Sequence, residues 1–120
     1  MQIYDVPALA DAAVSAKPDR AATAIVHDSD DARVVVFRLD PRQIVALHSS
    51  DSSVMLSVVR GPGYVSGLID GAVSEIAVSS GAVIAYQPNE PHGMRAGPNV
   101  LVIVATIAPR PGLARASQVA

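Results

Sequence analysis

Cysteine and tryptophan are absent from this sequence, and its only aromatic residues are three tyrosines and one phenylalanine. Without cysteine the chain forms no disulfide, holds no zinc through thiolates and has no thiol nucleophile. With so few large aromatic side chains, the core has to be built from small and β-branched residues. This composition favours strands over helices.

A strong charge of either sign is also lacking, since eleven acidic and nine basic residues give a net charge of −2 over 120 residues. The basic residues do not cluster, so we expect no nucleic-acid partner. The opening stretch contains Asp5 and Asp11, and it lacks both a basic first segment and a long apolar run. It therefore predicts neither a signal peptide nor a membrane span, and we expect a cytoplasmic protein with no membrane partner.

One helix is predicted, over residues 5–16. Asp5 suits the N-cap, Pro7 suits the first turn, and the Ala-rich body has to end before Pro18. The sequence then divides into an N-terminal segment with this helix (1–22), one β-rich domain (23–108) and a flexible tail (109–120).

From Thr23 onward, short runs rich in β-branched residues alternate with turn residues, at the spacing typical of a β-sandwich or barrel. Asp70-Gly71 is typical of a two-residue hairpin turn. The nine prolines all fall outside the proposed strand interiors, as ladder hydrogen bonding requires. The predicted strands are Thr23–His27, Arg33–Leu39, Gln43–His48, Val54–Arg60, Tyr64–Ile69, Ala72–Val78, Ala82–Tyr86 and Val100–Ile107.

Several of these strands are apolar on both faces, for example Val34–Phe37 and Leu101–Val104. A strand with one wet face would alternate apolar and polar residues, so these strands need a cover on each side. In so small a chain we expect one cover to be a second sheet and the other to be a partner subunit, which predicts a homodimer.

The stretch from Gly81 to His92 opens with glycine, continues as an apolar strand and a proline-containing turn, and ends in histidine. It resembles the second motif of the cupin superfamily, and the segment from His48 to Gly61 has the length of the first motif. The resemblance implies an all-β fold, a double-stranded β-helix barrel of the jelly-roll type, here with a short N-terminal helix.

The resemblance also places this chain's residues at the metal-ligand positions of the family. His48 and His92 occupy two of them, whereas Ser50 and Val54 stand where the second histidine and the glutamate would be. Two imidazoles alone would hold Zn, Fe, Ni or Mn only weakly, so we expect no tightly bound metal cofactor. Asp51 could add a ligand only through a bulge, because its side chain should point away from the barrel.

The leading hypothesis is a cupin that binds a small polar organic molecule, with the two histidines facing each other across the barrel cavity. The alternatives are a metal-dependent enzyme of the isomerase or dioxygenase type with a non-standard ligand, a metal-free enzyme with histidine as acid or base, and a structural or regulatory dimer. Whether a reaction is catalysed stays open. The predicted ligand-binding residues are His48, Ser50, Val54, Tyr64, Gln87, His92 and Met94, and the candidate metal ligands are His48 and His92.

Overall fold

Two antiparallel sheets form a sandwich in the computed structural model, which describes residues 1–112. The predicted tail falls largely on residues 113–120, outside the described residues. The strand order is β1-β2-β9-β4-β7 in one sheet and β3-β8-β5-β6 in the other. The elements are α1 (Val6–Ala12), β1 (Ala22–Asp28), β2 (Arg33–Leu39), β3 (Ile44–His48), β4 (Ser53–Arg60), β5 (Gly63–Ile69), β6 (Ala72–Val78), β7 (Val83–Tyr86), β8 (His92–Arg95) and β9 (Leu101–Ala108).

The all-β prediction is confirmed, and each of the eight predicted strands lies within one residue of an observed strand at both ends. The sequence reading missed β8, which is only four residues long, follows Pro91 and contains Gly93. Such a segment lacks the β-branched run by which strands are recognised. It nevertheless lies inside its sheet, between β3 and β5.

The turn that joins β5 to β6 forms as its residue types require. Asp70 has a φ of 51° and Gly71 a φ of 80°, so both central residues are in the left-handed region, and Ile69 pairs with Ala72 across the hairpin. This is the geometry that favours Asp-Gly in two-residue hairpins.

The main core lies between the two sheets. Alternate residues of β2, β4 and β9 point inward, and Leu39, Leu56, Leu101 and Ile103 are almost fully buried there. Opposite them, Val65 of β5 and residues of β8 close the interior. Aliphatic packing therefore fills the middle of the sandwich, and polar chemistry is confined to its ends.

The helix α1 covers the outer face of the five-stranded sheet, where Ala10 packs with Val36 and Val102. Asp5 caps it by accepting a hydrogen bond from the Ala8 N–H at 3.1 Å. The prediction that it runs to residue 16 is wrong, because the chain turns extended at Ala13.

Arg38 explains this early end. Its Nη1 donates to the carbonyl oxygens of Ala10 at 2.6 Å and Ala13 at 2.9 Å. The side chain thus supplies the hydrogen bonds that the backbone N–H groups of a further helical turn would otherwise give to these carbonyls. Within the described residues, no helix has the length and apolar character needed to cross a membrane.

The helix α1 covers part of the outer face of the strands that are apolar on both faces, so this part of the cover comes from the same chain. Further along the same outer face, Met55 and Val59 of β4 stay 48% and 36% exposed. The homodimer stays a prediction.

Candidate functional site

The two histidines are brought together by an irregularity in the pairing of β3 with β8. Val45 pairs with Met94 and His48 with His92, so the register shifts between the two pairs. Gly93 lies beside this bulge, and a Cβ added there would be 3.0 Å from the Val45 carbonyl oxygen. The close approach of the strands therefore requires glycine at this position.

The imidazole rings of His48 and His92 are in direct contact. Their centroids are 4.2 Å apart and their planes are inclined by 64°, an edge arrangement. His92 is only 6% exposed, whereas His48 is exposed. The expectation that they face each other across a cavity is therefore not met, because they form a touching pair with one ring buried and the other at the surface.

Both rings are held by the same kind of hydrogen bond. The Nδ1 of His48 lies 2.8 Å from the Ala46 carbonyl oxygen, and the Nδ1 of His92 lies 3.1 Å from that of Glu90. A carbonyl oxygen only accepts, so each Nδ1 carries the hydrogen and donates it. In the neutral form each ring then presents Nε2 as a lone-pair acceptor.

Burial lowers the pKa of His92 below its ordinary value, because the charged ring would lose solvation. The hydrogen bond to the Glu90 carbonyl opposes this shift, and the neighbouring His48 reinforces it. His92 is therefore neutral at pH 7, with its Nε2 able to accept a hydrogen bond or a proton.

Tyr86, at the end of β7, packs against the buried histidine, with ring centroids 5.3 Å apart. Its hydroxyl donates to the Ser66 carbonyl oxygen at 2.8 Å. Burial, together with the negative charge of Glu90, raises the pKa of Tyr86, so the phenol is neutral.

The loop after β3 brings Ser50 to the same end of the sandwich. Its carbonyl oxygen accepts a hydrogen bond of 2.7 Å from the Asn89 N–H, in the turn that precedes His92. Its hydroxyl oxygen is buried and has no hydrogen-bond partner among the described residues. A buried hydroxyl without a partner is costly, which makes it a candidate contact for a ligand.

The remaining predicted residues divide into two groups. Val54 pairs with Tyr86 across β4 and β7, and Met94 follows His92 by two on the same face of β8, so both are buried apolar neighbours of the site. Tyr64 points to the other face of its sheet, where Arg95 stacks 4.0 Å over its ring. Gln87 is exposed in the turn after β7. The structure therefore does not bring Tyr64 to the histidines.

The donor set falls short of a complete metal site. Across residues 1–112, no group of three or more His, Cys, Asp or Glu side chains is placed to hold a metal ion. Catalytic sites for metals such as zinc commonly use three protein ligands, and the pair supplies two imidazoles. Asp51 lies in the loop beyond β3, and the bulge in this strand falls before His48 rather than between His48 and Asp51. The third histidine, His27, lies at the exposed end of β1, where it bonds to Ser29.

Glu90, in the turn before β8, is a residue near the site that the sequence did not single out. It is partly buried, and it lines a cavity of about 140 Å³ together with Tyr86. No motif position marks it, and only the fold of the turn before β8 shows where its side chain lies.

This arrangement of strands recurs in solved structures. An RmlC-like cupin from Desulfovibrio desulfuricans is 30% identical, with 82% of this chain and 91% of that chain covered and a TM-score of 0.67. This chain belongs to the cupin superfamily. The family predicted from the spacing of His48, Gly61, Gly81 and His92 is confirmed.

Two further solved structures match over nearly their full length. A protein with a double-stranded β-helix domain from Klebsiella pneumoniae is 23% identical, with 92% of this cupin and 91% of that chain covered and a TM-score of 0.75. A Thermus thermophilus protein is 22% identical, with 92% and 100% covered and a TM-score of 0.78. At these identities the matches show the fold alone. No protein-family model and no curated protein matches the sequence.

Proposed function

We propose that this cupin binds a small polar organic molecule at the His48–His92 pair and that binding needs no tightly held metal. The observation that carries the proposal is that two touching rings use the same nitrogen for the fold. Both Nδ1 atoms are committed to backbone carbonyls, so each ring of the pair keeps its Nε2 as an acceptor. A ligand with neighbouring hydroxyl or N–H donors matches such a pair.

The surroundings support the same ligand class. The unpartnered hydroxyl of Ser50 adds a group that can donate or accept, while Val54 and Met94 supply apolar surface. A few directional polar atoms against an apolar wall are typical of small-molecule sites. Because His48 is exposed, a ligand can reach the pair from solvent without an opening of the sandwich.

Binding assays on chelator-treated protein test this proposal. A panel of monosaccharides and hydroxy acids would be screened by ligand-observed NMR, first with wild type and then with His48→Ala and His92→Ala. His27→Ala is the matched control, because His27 is an exposed histidine that bonds to Ser29. We expect hits that survive chelation, are lost in both site variants and persist in the control.

A metal-dependent enzyme predicts a different outcome. Tight one-to-one retention of Zn, Fe, Ni or Mn by untagged protein, abolished by His48→Ala, would overturn the metal-free proposal. Hits that are unaffected by either site variant would show that the ligand binds elsewhere.

A further inference from the structure

A cavity lies beside the histidine pair, between the inner faces of β5 and β6 and the edge strand β7. Its volume is about 140 Å³. Most of its wall is aliphatic, with Val65, Ile69, Ile76 and Ile84 contributing. Tyr86 lines this cavity and also contacts His92, so its ring stands between the cavity and the buried histidine.

Two hydroxyl groups on the cavity wall, those of Tyr86 and Ser74, already use their hydrogen within the fold. The Tyr86 hydroxyl donates to the Ser66 carbonyl, and the Ser74 hydroxyl donates to the Ala72 carbonyl at 3.2 Å. What both hydroxyls still offer to a ligand is oxygen lone pairs. The wall therefore favours a ligand that donates hydrogen bonds.

Glu90 gives the cavity its charge. It is the one acidic or basic residue among those that line this cavity. Its Oε1 accepts a hydrogen bond from the Gln87 N–H at 3.2 Å, which fixes the carboxylate while leaving further lone pairs. A positively charged donor would pair with this carboxylate by a charge-assisted hydrogen bond.

The volume sets the size of the occupant. It exceeds the roughly 10–15 Å³ that a single water needs. It is smaller than the roughly 300 Å³ at which sites for drug-sized ligands begin. A molecule of a few carbon atoms therefore fits this volume.

We propose that this cavity binds a small organic monocation, of the primary alkylammonium class, with its ammonium group on Glu90 and its alkyl group against Ile76 and Ile84. This site goes beyond the function proposed for the histidine pair. The two sites share a wall at Tyr86 and are tested by different variants.

Methyl NMR of protein labelled at isoleucine tests the proposal with three probes of one shape: isobutylammonium, isobutanol and isobutyrate. We expect isobutylammonium to shift the Ile76 and Ile84 methyl signals in a saturable way, isobutanol to bind more weakly and isobutyrate not at all. Glu90→Gln should weaken isobutylammonium at least tenfold and leave isobutanol unchanged. Asp70→Asn removes one negative charge at an exposed turn and should change neither.

Equal binding of the three probes would overturn the proposal, as would a Glu90→Gln variant that binds isobutylammonium like wild type. Gly67→Ala provides a second check, because an added Cβ would lie 2.9 Å from Tyr86 Cε1 and displace the ring that walls the cavity. We expect it to reduce isobutylammonium binding. Unchanged binding in this variant would place the probe outside the cavity.

Discussion

Substitution by alanine at two serines in the loop before β4 should change the free energy of unfolding in opposite directions. Ser50 has a buried hydroxyl with no hydrogen-bond partner among the described residues. Ser52 is 1% exposed, and its hydroxyl donates to the Pro109 carbonyl oxygen at 2.7 Å. Replacing each by alanine removes one oxygen atom from nearly the same place in the chain.

The magnitudes follow from the hydrogen bonds. Ser52→Ala leaves the Pro109 carbonyl without its partner, which should lower the free energy of unfolding by about 1–3 kcal/mol. Ser50→Ala removes a buried polar group that gains nothing in the free protein, so it should raise that free energy by about 1 kcal/mol. For a domain of this size 1 kcal/mol corresponds to about 4 °C in Tm.

Urea unfolding and thermal melts, both followed by far-UV circular dichroism because the chain has no tryptophan, would measure these changes. The same variants would then be tested for binding at the histidine pair. We expect Ser50→Ala to be more stable than wild type and a weaker binder. If Ser50→Ala destabilises the protein as much as Ser52→Ala does, then the Ser50 hydroxyl is already satisfied in the free protein, and our reason for assigning it to the ligand fails.

Two other predictions concern pH and packing. Because the pKa of His92 is lowered in the folded state, the unfolded chain binds more protons than the folded one below about pH 6.5, and the free energy of unfolding should fall as the pH drops from 7 to 5. Urea unfolding at both pH values should show a smaller fall in His92→Gln than in wild type. An equal fall in the two proteins would show that His92 does not cause the pH dependence. Gly63→Ala places a Cβ 2.7 Å from Leu101 Cδ1, which should cost about 1–3 kcal/mol. Adding Leu101→Ala should remove much of that extra cost in a double-mutant cycle, whereas strictly additive losses would show that the two residues do not clash.

Sequence reasoning was strongest where one local rule decides the structure. Asp70-Gly71 has few alternatives to a tight hairpin, and the runs of β-branched residues had no competing periodicity. The spacing from Gly81 to His92 was informative for a different reason, since it repeats a family pattern that requires a particular strand and turn. The fold could therefore be predicted nearly in full.

The site was harder, because its geometry depends on contacts between distant segments. The bulge between Val45 and His48 sets how the rings meet, and it depends on Gly93, forty-five residues beyond His48. The position of Glu90 on the cavity wall depends on how the turn before β8 folds back. Neither leaves a periodic signal, so the residue types at the site were predictable and their arrangement was not.

The early end of α1 has the same kind of cause. Residues 13–16 include two alanines and neither glycine nor proline, so nothing local ends the helix before Pro18. Arg38 of β2 takes the carbonyl oxygens near the helix end, and this tertiary contact outweighs the local preference.

The proposed binding mode requires that His48 and His92 both donate through Nδ1 and present Nε2 to a ligand. A two-bond ¹H–¹⁵N correlation spectrum of chelator-treated protein at neutral pH measures the tautomer of each ring directly. We predict that both neutral rings carry hydrogen on Nδ1 and none on Nε2. A spectrum with hydrogen on Nε2 of either ring would contradict this binding mode.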